Sequence, residues 1–130
     1  VWPPEERQSR PAQTCMILVD TSAFVEFFRG NSVVRGLQHS IEQDDVVLHS
    51  LVELELALGG VKPEIAELLQ VLARCESIPD ATLREFIGRR NLAGQGIGYV
   101  DCQILAACLA NGYRLWTMDK KLDRLWKAMV

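Results

Sequence analysis

The sequence predicts an α/β fold, a three-layer sandwich with a central parallel sheet of four to five strands flanked by helices. Three observations carry this expectation. Short apolar runs from residue 16 onward alternate with longer stretches of helical period, and strands separated by helices need crossover connections, hence parallel pairing. The first strand run, "MILV", is apolar at every position, as in sheets covered on both faces. The chain of 130 residues has the size of one domain and is long enough to bury a core without disulfides or a structural metal.

The elements follow in order. Residues 1–15, "VWPPEERQSRPAQTC", carry three prolines and mixed charges without an apolar period, and read as a disordered tail ahead of a single domain over 16–130. The first strand is 16–19, and the helix 22–29 after it ends at Gly30 and Asn31. A helix over 32–43 precedes the second strand, "VVLH" at 46–49, and the helix 51–58 stops at Gly59 and Gly60. Pro63 falls in the first turn of a helix over 62–74, where its missing N–H costs nothing. "ESIP" at 76–79 is the expected third strand, with Asp80 as N-cap of a helix over 81–90. The glycine-rich "AGQGIG" at 93–98 leads to an apolar helix over 100–110, closed by Asn111 and Gly112 as an αL cap. "RLWT" at 114–117 is the fourth strand and 120–128 the last helix. No internal repeat is present, which excludes a solenoid.

Composition narrows the function classes. No apolar run approaches the roughly 18 residues of a membrane helix, and no signal-peptide pattern opens the chain, so a cytoplasmic location is expected. Cys15, Cys75, Cys102 and Cys108 form no CxxC pair, giving neither zinc spacing nor a redox motif; burial as small hydrophobes is expected instead. A net charge of −3 argues against a whole-surface nucleic-acid binder, although a bound divalent cation adds positive charge that residue counting misses.

Ligands of open parallel sheets bind at the carboxyl ends of the strands. Asp20 directly follows the first strand, Asp119 follows the fourth, Asp101 opens the helix after the glycine loop, and the helix after the second strand carries Glu53 and Glu55. Each aspartate has a local alternative. Asp20 and the hydroxyls of "DTS" suit a helix cap, Asp101 a helix N-terminal charge, and Asp119 a turn. Three acids at three equivalent places nevertheless exceed what capping requires. Gathered at one edge they would repel, and Mg²⁺ or Mn²⁺ is the economical compensation, which points to a metal-dependent nuclease or phosphatase. Residues two apart on a helix point about 200° apart, so Glu53 and Glu55 cannot share one site, and periodicity does not choose between them.

The stretches "MILVDTSAFVEFFRG", "ELALGG" and "GIGYVDCQILAACLANGYRLWTMDKKLDRL" resemble the PIN-domain ribonucleases, in particular the VapC-type toxins of bacterial toxin–antitoxin modules. The resemblance runs from Met16 almost to the end of the chain. It implies that Asp20, Glu55, Asp101 and Asp119 are the catalytic, metal-holding acids, and it favours Glu55 over Glu53 through an E-L-x-x-G segment. It makes Thr21, Ser22 and Thr117 hydroxyls that orient carboxylates or waters. It further implies Mg²⁺ or Mn²⁺ as cofactor, RNA cleavage by a metal-activated water, a cognate VapB-type antitoxin that brings a basic side chain to the acidic pocket, and a homodimer. Arg84, Arg89 and Arg90 on one helix are candidate RNA contacts, with a solvated helix face as the plainer explanation. His39 and His49 are rival general bases, expected instead to be surface or structural.

Two other classes remain. A metal-dependent phosphatase of the haloacid-dehalogenase kind needs a second Asp two residues after the first, where this chain has Ser22. A catalytically silent PIN-like module that only binds a partner protein is opposed by the four intact acids.

Overall fold

The computed structural model of the chain describes residues 15–130. The tail expected over 1–15 lies, Cys15 apart, outside the described residues. Among these, four strands and seven α-helices alternate: β1 Ile17–Val19, α1 Thr21–Phe28, α2 Gly36–Glu42, β2 Val46–His49, α3 Ser50–Gly59, α4 Pro63–Gln70, β3 Ala73–Cys75, α5 Asp80–Arg89, α6 Tyr99–Asn111, β4 Arg114–Trp116 and α7 Lys120–Met129. The sheet runs β3-β2-β1-β4 and every ladder is parallel, as crossover connections demand. The two central strands are buried at every position, whereas the edge strands β3 and β4 are partly exposed. The register aligns Val19 with Trp116 and His49 with Cys75, so the strands end level along one edge.

Three expectations are corrected. The third strand is Ala73–Cys75 rather than 76–79, because α4 ends at Gln70 and the β2 ladder ends at His49, opposite Cys75. Beyond Cys75 the chain has no strand to pair with. The buried Gln103 amide takes over, accepting from the Ile78 N–H at 2.8 Å and donating to the Ile78 carbonyl at 2.9 Å. It thereby satisfies groups that would otherwise be left unpaired at a cost of about 1–3 kcal/mol each. The N-cap of α5 is Pro79; Asp80 is its first helical residue, placed where the helix dipole favours an anion. The helix expected over 32–43 is instead a 3₁₀ turn at Ser32–Val34 followed by α2. Val34 from the turn and Leu37 from α2 both reach the core.

Helix α6 is buried at every residue from Cys102 to Leu109, the mark of a helix enclosed on all sides. Ile104, Ala107 and Cys108 join the core of the sheet with Phe24, Leu37 and Leu56. Leu105, Ala106 and Leu109 pack with Leu83 and Phe86 of α5 and Leu122 of α7. Each fully buried phenylalanine, Phe24 and Phe86, contributes about 2–3 kcal/mol. Cys75, Cys102 and Cys108 are buried free thiols, as expected, and burial raises the Cys75 thiol to about 11. No helix among the described residues is long and apolar enough to cross a membrane.

Candidate active site

The level strand ends carry the acids. Asp20 leaves β1 with its N–H donated to the Trp116 carbonyl at 2.9 Å, which pins it to the neighbouring strand β4. It occupies the N-cap position of α1, yet its side chain makes no capping bond. Instead its Oδ2 accepts from Thr117 Oγ1 at 2.8 Å and from Ser22 Oγ at 3.1 Å. Those hydroxyls are themselves oriented by backbone: the Asp119 N–H donates to Thr117 Oγ1 at 3.0 Å and the Met118 N–H to Ser22 Oγ at 2.9 Å. An N–H fills a lone pair of each hydroxyl, so the hydroxyl protons turn to Asp20. Among the described residues no donor reaches the other oxygen, Oδ1. The "DTS" hydroxyls therefore do not cap α1 but serve carboxylates; Thr21 Oγ1 donates to Glu55 Oε1 across from α3.

The two glutamates of α3 diverge as the helical geometry requires. Glu53 turns to β3 and forms a bidentate pair with Arg74, with Nη2 2.7 Å from Oε2. The hydrogen bond from Arg74 holds the Glu53 carboxyl below its ordinary range. Glu55 lies with Thr21, beside Asp20 in the chain. Asp101 sits in the first turn of α6, two residues after its first residue Tyr99. Asp119 is the N-cap of α7, its Oδ1 accepting from the N–H groups of Lys121 at 2.9 Å and Leu122 at 3.1 Å.

Electrostatics joins the four. The Asp101 carboxyl is raised to about 6, first by its own burial and then by the negative charges of Asp20, Asp119 and Glu55. One cation opposes the rise, the Lys121 ammonium, which donates from Nζ to the Gly96 carbonyl at 3.1 Å. Lys121 was not singled out from the sequence, and its only signal there is its place two residues after Asp119 in "TMDKKL".

An oxygen-only set of carboxylates sharing one negative field suits a hard divalent cation, Mg²⁺ or Mn²⁺. Among the described residues no three acidic, imidazole or thiolate groups converge closely enough to hold an ion unaided. A divalent cation held here would need water to complete its shell, as Mg²⁺ commonly does. A larger cavity of about 700 Å³ beside β4, lined by Arg114, Trp116 and Trp126, includes none of the four acids.

The remaining candidates lie elsewhere. Arg84 and Arg89 are exposed on α5, Arg89 paired with Glu85 at 3.0 Å, and Arg90 caps the end of that helix. Among the described residues none of the three is bonded to an acid of the cluster. His49 is fully buried and caps α3, its Nδ1 accepting from the Leu51 N–H at 3.0 Å. Burial lowers its pKa. His39 lies in the last turn of α2.

A parallel sheet with a carboxylate field at its carboxyl edge defines a class, and the comparison with known proteins identifies it. Residues 17–127 match the PIN domain family model, and the chain belongs to that family. It is of the VapC type, being 40% identical over 111 residues to Ribonuclease VapC32 of Mycobacterium tuberculosis, in strains CDC 1551 / Oshkosh and ATCC 25618 / H37Rv, across 82% of this chain and 87% of the relative. The crystal structure of PAE2754 from Pyrobaculum aerophilum shares the fold, with a TM-score of 0.60 at 19% identity over 88% of this chain and 81% of that one.

The hydroxyl pair gives one expected result. Thr117→Val keeps the side-chain shape but leaves Asp20 Oδ2 with one donor and the Asp119 N–H without its acceptor. RNA cleavage is expected to fall about 10- to 100-fold, as for outer partners of metal-binding carboxylates, with an unchanged far-UV circular dichroism spectrum.

Proposed function

We propose that this chain is the toxin component of a type II toxin–antitoxin system, a metal-dependent endoribonuclease that uses Asp20, Glu55, Asp101 and Asp119. The observation that carries the reading is the shared field of these four acids, felt at Asp101. The relative's name, Ribonuclease VapC32, supports the reaction class and RNA as substrate. Mg²⁺ or Mn²⁺ supplies, when bound, Lewis-acid activation of water and neutralisation of the leaving oxygen. The chain's own work is positional. Ser22 and Thr117 fix one oxygen of Asp20 and leave the other without a donor among the described residues, and Thr21 restrains Glu55 with one hydrogen bond. Asp119 holds its carboxylate in place by capping α7, and no covalent nucleophile is required.

A VapB-type antitoxin belongs to the same reading. A groove of about 360 Å³ lined by Val25, Phe28, Leu56 and Val61 opens beside Thr21 and Glu55. Leu54 and Leu58 stand exposed one turn apart on α3, at 58% and 89%. Apolar surface next to an acidic site suits a partner segment that brings a basic side chain. A homodimer completes the reading, carried by the resemblance alone.

The decisive experiment incubates the purified chain with end-labelled RNA in Mg²⁺, in Mn²⁺ and in EDTA. Discrete cuts that vanish on chelation are expected. Cleavage that survives chelation sinks the metal dependence. Hydrolysis of small phosphomonoesters without RNA cleavage favours the phosphatase, and binding of a partner without any hydrolysis favours the silent module.

A further inference from the structure

A second cavity of about 310 Å³ lies against the glycine loop, walled by Ile87, Leu92, Ile97 and Tyr99 and by the backbone of Gly94 and Gly98. We infer that this cavity seats one unpaired RNA base, that of a nucleotide adjoining the scissile phosphate. The inference rests on the ribonuclease reading and deepens it by naming how the substrate is gripped.

Position is the first support. Gly96 lines the cavity and its carbonyl accepts from Lys121 Nζ, the cation whose charge acts on Asp101, so the cavity lies beside the acid cluster. Size is the second. At about 310 Å³ the cavity lies at the lower end of the range for small-ligand sites, with room for a base. Chemistry is the third. Apolar walls with an aromatic ring are how proteins hold single-stranded bases, which stack on such rings regardless of sequence.

Tyr99 is 53% exposed, yet it is not a loose surface ring. Gln103, fully buried and anchored on Ile78, donates its second amide proton to the Tyr99 hydroxyl at 3.1 Å. The hydroxyl is thus held by a buried amide while about half of the residue stays exposed. The loop is open too, because a Cβ at Gly94 or Gly98 would meet nothing within 4 Å.

Lys121 supplies the charge that a nucleotide needs between cavity and acids. Gly96 has φ +74, and a Cβ there would stand 2.5 Å from Lys121 Nζ. The absence of a side chain at position 96 is what lets the ammonium lie on the loop and bond the Gly96 carbonyl. A phosphate joining a base in the cavity to the acid cluster then meets one cation on its way.

The test uses the full chain and RNA oligonucleotides carrying 2-aminopurine in turn at each position around the mapped cut. Asp20→Asn holds the RNA uncut for the binding measurement. Quenching is expected for the base adjoining the cut and not for distant ones. On the otherwise unmodified chain Tyr99→Ala is expected to raise KM about tenfold with a smaller change in kcat, while Tyr99→Phe keeps wild-type KM. Gly98→Val gives a second probe, since φ −88 and ψ 175 suit a β-branched residue while the added methyls narrow the cavity; it is expected to lose the quench as well. Unchanged KM in folded Tyr99→Ala and Gly98→Val, or quenching that ignores position, overturns the base-seat proposal alone. A wild-type chain that cuts no RNA in either metal overturns the ribonuclease reading and this proposal together.

Discussion

Asp20→Asn is expected to lower RNA cleavage about 10³-fold or more, the several kcal/mol that a metal-assisted phosphodiester hydrolysis draws from its ion. The substitution preserves volume and fold. Its amide oxygen still accepts from Ser22 and Thr117, which forces the amide nitrogen into the position of Oδ1. An N–H donor then stands where a carboxylate oxygen faces the site, and a donor repels a cation. The check is a single-turnover cleavage assay paired with thermal melts in Mn²⁺. The wild-type chain is expected to gain melting temperature with the ion by mass action, and the variant is not. A variant that cleaves within tenfold of wild type sinks the assignment of Asp20.

Asp101→Asn is expected to act in opposite directions with and without metal. The folded chain raises the Asp101 carboxyl from 3.8 to about 6, through burial first and the neighbouring acids second. A raised carboxyl contributes stability below its unfolded value, and this is lost as pH climbs through the folded value. The metal-free protein is therefore weakened across about pH 4 to 6 and stays so above it. Asparagine removes that penalty. In EDTA at pH 7.5 the variant is expected to melt higher by about 3 °C, on the order of 1 kcal/mol after solvent screening. At pH 4 the two are expected to melt together. In Mn²⁺ the order reverses, because only the wild-type chain gains from the ion, and cleavage by the variant falls with Asp20→Asn. A variant that melts lower than wild type in EDTA at pH 7.5 removes the electrostatic account of this carboxyl.

Much of the fold is legible in the order of residues, for reasons that are local. β1, β2 and β4 read as apolar runs and α6 ends at a glycine with φ +72, whereas Asp119, read locally as a turn residue, proves to be the N-cap of α7. β3 is misplaced because its residues mislead. Ala73 and Arg74 are exposed, whereas Ile78, which looks like strand, is held by a side-chain amide from another helix. The choice between Glu53 and Glu55 has the same character. Periodicity separates the two, but only the distant Arg74 and Thr21 decide which acid turns where. Lys121 is illegible for a like reason, since its contact with Gly96 exists only once α7 docks on the loop before α6.

The hydroxyl that steadies Asp20 has a consequence in time as well as in space. Asp20 and Thr117 are separated by 97 residues of chain. During synthesis the first acid emerges well before the donor that orients it and the acid that follows that donor. Long-range contacts of this kind form late. A growing chain thus carries an acidic edge that is incomplete until β4 joins the sheet beside β1.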